Sequence, residues 1–210
     1  MKKTFIIISA FTTLAFAACS DSPTKSGHEN HDTITAQPTE PAATQETKET
    51  DVKTIPVVFT SVDPNAAASL KAVVDHYLHV KNALVNDNAA EAANGAKAMQ
   101  KAVSGIDKSY LSADQKSAYD KLEQSLKEHT AVIAKSGTKI ADQRTHFASL
   151  SETVYELVKN FGAGRTMYHD HCPMARNNQG AMWMSENKEV TNPYFGAEML
   201  NCGTVEEEVK

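Results

Sequence analysis

Between residues 63 and 161, apolar side chains recur at three- and four-residue spacing in four separate runs. That periodicity restricts the chain to a scaffold of amphipathic helices. The first run opens at Asp63-Pro64, an acceptor followed by a proline suited to the first helical position. It continues through Leu70, Val73, Val74, Tyr77, Leu78, Lys81, Leu84 and Val85, and Asn86-Asp87-Asn88 breaks it. The second carries a small-residue face of Ala89, Ala92, Ala93, Ala96, Met99, Ala102 and Val103, and ends at Gly105 and the stretch 107–109. In the third, Ser112 and Gln115 form a capping-box pattern ahead of Tyr119, Leu122, Leu126 and Ile133. Ser136-Gly137 then turns the chain. The fourth uses Ile140, Phe147, Leu150, Val154, Leu157, Val158 and Phe161, with Gly162 as its C-cap.

Four helices joined by short connections predict an all-α fold, an antiparallel four-helix up-down bundle over residues 61–162. About 100 residues suffice for one core of this kind. Residues 163–210 lack the periodicity and are expected to form an irregular cap on the same domain.

The chain's beginning has a different character. Lys2 and Lys3 precede an apolar run, Phe5 to Ala18, that is too short to span a bilayer as a mature helix. It ends in Ala17-Ala18 before Cys19-Ser20, an arrangement that resembles a bacterial lipoprotein signal with Cys19 as the lipidated residue. Residues 1–18 are therefore expected to be removed, and the mature protein to be lipid-anchored on the periplasmic side or cell surface of a bacterial membrane. Residues 19–60 are assigned to a tether. Their Ser/Thr/Pro/Glu-rich part cannot bury enough apolar surface to offset ordering entropy. As a flexible coil it reaches roughly 30–35 Å. His28 and His31 within it read as solvated linker residues.

Losing Lys2 and Lys3 leaves 19 basic against 26 acidic side chains, a net charge of −7. An acidic product with no basic block is not a nucleic-acid binder. Of the three cysteines, lipidation of Cys19 leaves Cys172 and Cys202 in a compartment where disulfides persist.

Those two cysteines hold the chemistry. Cys172 and Met174 flank Pro173, while Met199 and Cys202 are three apart, a spacing that a turn brings to one point. Thiolates and thioethers are soft donors, so Cys172, Met174, Met199 and Cys202 suit Cu(I) or Ag(I). With His171 or His169 joining, the set becomes one that zinc also takes. The alternative is a Cys172–Cys202 disulfide, worth about 3–4 kcal/mol in the chain-entropy model. Both stand at this point, and both hold if reduction precedes metal binding.

Other candidates are weaker. His76, His79, His129 and His146 lie on predicted helices without the Glu-x-x-His pattern of a bundle metal site, and read as surface or helix-flank residues. Neither Cys-x-x-Cys nor Cys-x-x-Cys-His is present, and no nucleophile constellation stands out. No enzymatic activity is expected.

Several segments together resemble a known family: 172–175 (Cys-Pro-Met-Ala), 180–185 (Gly-Ala-Met-Trp-Met-Ser), 192–196 (Asn-Pro-Tyr-Phe-Gly) and 199–203 (Met-Leu-Asn-Cys-Gly). The stretches 143–151 and 77–85 are similar to its last and first helices. This is a domain of unknown function from exported bacterial proteins. It is also similar to domains appended to periplasmic adaptor subunits of copper and silver efflux systems. The resemblance spans about 62–208 and implies heavy-metal handling at Cys172, Met174, Met199 and Cys202. The chain has no room for an adaptor's own hairpin and barrel-like domains. The expectation is therefore a metal-binding lipoprotein that sequesters Cu(I) or passes it to an efflux adaptor or other periplasmic protein. The competing expectation is a disulfide-capped interaction module without metal.

Overall fold

The computed structural model describes residues 52–210. The expected signal 1–18, the lipidation site Cys19 and the tether as far as residue 51, with His28 and His31, lie outside the described residues.

Four long helices form the body: α1 Pro64–Val85, α2 Ala89–Ser104, α3 Ala113–Lys135 and α4 Ile140–Phe161. Their ends are fixed by local chemistry. The Asp63 carboxylate accepts from the Asn65 amide, and Asn88 accepts from the Glu91 amide. At α3, Ser112 and Gln115 form both halves of the capping box. Gly162, at φ +72°, takes the chain out of α4 through a conformation that a side chain would strain. Successive helices pack on one another, α1 also meets α4, and their buried faces form one core with Tyr77, Tyr119, Phe147, Leu126 and Leu150.

The cap is not irregular, and the fold is not all-α. Residues 167–209 supply three strands: β2 Met167–Cys172, β3 Ala181–Ser185 and β4 Thr204–Val209. A further strand, β1 Lys53–Ile55, comes from the segment read as tether. The sheet order is β1-β4-β2-β3, with β1 parallel to β4 and the other pairings antiparallel. Ordering therefore starts before residue 61. After β1, the amides of Val58 and Phe59 donate to the Lys159 and Asn160 carbonyls at the end of α4.

Tyr77 bolts the sheet to the helices. Its hydroxyl lies 2.8 Å from Ser151 Oγ on α4 and accepts from the Met184 amide on β3 at 3.0 Å. Its ring stacks on Phe147 at 5.2 Å. Each polar atom of this fully buried contact is thereby satisfied.

Candidate functional site

Cys172 ends β2 and is fully buried, while Cys202 sits partly exposed just before β4. Their Sγ atoms are 2.7 Å apart, so residues 30 positions apart in sequence meet at one point. Cys202 is pushed up to about 11, first by its contact with the Cys172 thiol and then by burial. Cys202 thus gives up its proton only in alkali or to a metal, which takes the thiolate form.

Asn192 shapes the loop that presents Cys202. Its side chain is fully buried. Nδ2 donates to the Cys202 carbonyl at 2.7 Å, while Oδ1 accepts from the Tyr194 and Phe195 amides. Its backbone amide donates to Leu200, closing the loop. Tyr194 adds a hydrogen bond to the Met182 carbonyl and packs edge-on to Trp183.

The loop is moored to the helices by Arg144 of α4. Its Nε donates to the Pro193 carbonyl at 2.8 Å, and one terminal nitrogen donates to the Leu84 carbonyl and to Asp87 Oδ1. Asp87 Oδ2 accepts from the Ala197 amide, and that bond, with Arg144, lowers the Asp87 carboxyl below its ordinary value. Gly196 passes so close to Asp87 that a Cβ there would stand 2.3 Å from Oδ1.

Met174 and Met199 line one open pocket of about 530 Å³, together with Arg144, Arg176, Tyr194 and Phe195. Part of its wall is a left-handed turn in which Arg176, Asn177 and Asn178 all have positive φ. Such a run costs conformational energy and persists only where its surroundings hold it. Neither cysteine lines this pocket. The four sulfurs are therefore organised as a dithiol and a thioether pocket, linked through Pro173 and the 199–202 turn.

His171 is not part of either. Its Nδ1 lies 3.6 Å from Glu206 Oε1, and its ring covers Gly180, where a Cβ would meet Nε2 at 2.8 Å. Among the described residues, no three His, Cys, Asp or Glu side chains converge on a point. His169 is buried and stacked on Tyr155 at 3.8 Å, with its imidazole pushed down to about 4 by desolvation.

Three groups were given no chemical role by the sequence reading. Asp170 is fully buried and pushed up to about 7 by desolvation, against the pull of Lys81. Lys81 is almost fully buried, and desolvation lowers it. Both groups thus move toward neutrality, as isolated charges do away from water. Neither oxygen of Asp170 nor Trp183 Nε1 has a well-formed hydrogen-bond partner among the described residues, although the indole is near enough to temper the carboxyl's shift. Arg144 is the third, and only its place among turn-forming contacts 49 to 60 residues distant gives it a role.

Residues 73–166 match the model of a family described as "Protein of unknown function (DUF3347)". The match covers the helices from within α1 onward and stops before β2, so the sulfur-bearing sheet lies beyond it. No curated protein and no solved structure matches the chain.

Proposed function

We propose that this chain is an exported, lipid-anchored protein that binds a soft metal ion, Cu(I) or Ag(I), for sequestration or hand-over to an efflux system. The observation that carries the reading is the meeting of Cys172 and Cys202, each within one turn of a thioether that faces a shared pocket. Soft sulfur donors without carboxylates select monovalent copper or silver over hard cations. The thioethers offer an entry point and the dithiol a tighter acceptor, so the ion passes by replacing one sulfur ligand at a time. Zinc is a weaker fit, since His171 turns to Glu206 instead. The helices serve as an antiparallel up-down scaffold, and catalysis forms no part of the reading.

A second reading is favoured by the short sulfur separation. Two thiolates on one tetrahedral ion, with bonds of about 2.3 Å, lie about 3.8 Å apart. The observed 2.7 Å is closer, so loading requires the pair to open by roughly 1 Å. Closed, the pair suits a disulfide that caps an interaction module without metal. The two readings meet if oxidation locks the cap and reduction opens it to the ion.

Anaerobic titration of the reduced full chain against a chromophoric Cu(I) chelator separates them. About one Cu(I) should bind per chain, and Cys172→Ser with Cys202→Ser should weaken it by at least about 100-fold. Equal affinity in the double variant overturns the metal reading. Intact mass without reductant showing both thiols blocked, with metal inert toward stability, supports the second.

A further inference from the structure

The seam between α3 and α4 is bridged by polar pairs at two levels. Ser125 Oγ and Thr153 Oγ1 are 2.7 Å apart. One turn further along α3, His129 meets His146, with their Nδ1 atoms 3.2 Å apart. The ring centroids stand 5.5 Å apart and the planes at 43°, so the two nitrogens face each other nearly head-on. Both side chains are half-buried: they are held by their helices yet open to solvent. Desolvation and the facing His146 hold the His129 imidazole below its ordinary value, against the pull of Glu128 and Glu152, so the ring favours its neutral form.

We propose that His129 and His146 form a two-imidazole site for a divalent late transition-metal ion, Zn(II) or Cu(II), which clamps α3 to α4. Imidazole is the borderline donor that such ions take. Two Zn–N bonds of about 2.0–2.1 Å at a tetrahedral angle place their nitrogens about 3.3 Å apart. The pair already holds nearly that bite. Loading asks each ring to turn so that the lone pairs converge. It also asks the proton held between the rings to move, through solvent, from Nδ1 to Nε2 of the donor ring. Nothing is oxidised or reduced, and both Nδ1 atoms are left as ligands.

No third His, Cys, Asp or Glu converges here among the described residues, so water completes the shell. The result is a reversible site, not a closed structural centre. It shares no residue with the sulfur cap and does not rest on the copper reading.

The test is Zn(II) titration of the full chain, followed by long-range 1H–15N spectra of its imidazoles. The Nδ1 resonances of His129 and His146 should move together, with one binding constant, as the Tm rises. His129→Gln and His146→Gln should each weaken that binding by about tenfold or more and remove the Tm gain. Zn(II) that moves only the other histidines, His28 and His31 among them, overturns the site. So do glutamine variants that keep the parent affinity. Because the spectra read the unsubstituted chain, the outcome stands even where a variant folds poorly.

Discussion

Gly203 lies under the Trp183 ring: a Cβ at residue 203 would stand 2.9 Å from Trp183 Cη2 and 2.9 Å from the His171 carbonyl oxygen. The backbone there has φ +141°, which glycine adopts and side chains avoid. The contact carries the chain from Cys202 into β4 beneath a fully buried indole, the only tryptophan in the sequence. Gly203→Ala must therefore move either the ring or β2 backbone. The expected loss is about 2–4 kcal/mol, read from urea denaturation, with Trp183 emission shifted to the red in the folded state. A variant as stable as the parent would show that the loop yields cheaply.

Arg144 is the second position where one residue sets the cap's place. Its guanidinium serves the Pro193 and Leu84 carbonyls and Asp87 together, a spread that a lysine ammonium cannot reproduce. Arg144→Met keeps much of the stem and strips the donors, for an expected cost of about 2–3 kcal/mol. Arg144→Lys should recover little of it. Hydrogen exchange at the Ala197 amide, which rests on Asp87, should quicken more than exchange within α2. Uniform acceleration over the whole domain would mean that Arg144 supports global stability and not the mooring.

The thioethers give a test that leaves the fold alone. Met174 is 45 % exposed, and both methionines face the pocket, so leucine at each conserves volume with a cost below about 1.5 kcal/mol. On the soft-metal reading, Met174→Leu with Met199→Leu should slow Cu(I) uptake and weaken binding by about tenfold, with thiol titre unchanged. Unchanged uptake and affinity would confine the chemistry to Cys172 and Cys202.

The helices were legible because their signals are local. Asp63-Pro64, the Ser112/Gln115 box and Gly162 each mark an end within a few residues, and the apolar spacing between them fills one core. The sheet was not legible, for physical reasons. Its strands run three to six residues, and β2 and β4 carry histidines, an aspartate and glutamates where alternation would show apolar side chains, while β3 is too short and too evenly apolar to alternate. Their polar groups find partners only after distant segments meet, as Lys53 and Tyr155 do with Glu207. The same holds for the site. Soft-donor chemistry pointed to Cys172 and Cys202, but strand geometry turned His171 away to Glu206. Lys81 fell on the buried face of the first helical run, yet its counterpart Asp170 was hidden in a segment with no periodicity to place it.

His169 and Asp170, neighbours at the bulge of β2, should give opposite pH dependences of stability. His169 is pushed down to about 4 while its unfolded form titrates near 6.5. Its contribution is present above about 6.5 and is lost as pH falls toward 4, because the unfolded chain takes the proton first. Asp170 is pushed up to about 7, so between about 4 and 7 the folded chain holds a proton that the unfolded chain releases. Its effect is a loss of stability as pH rises through that window. Each slope is at most about 1.4 kcal/mol per pH unit, and together they nearly cancel in the parent. Single variants expose them. The stability of Asp170→Asn relative to the parent should climb by about 2–3 kcal/mol from pH 5 to pH 7. For His169→Phe, which keeps an aromatic ring on Tyr155, the relative stability should fall over the same interval. Urea melts at pH 5, 6 and 7 decide the matter, since the carboxylates held below their ordinary values, Glu207 among them, titrate beneath this range. Relative stabilities flat in pH for both variants would mean that neither buried group carries its proton differently in the folded chain.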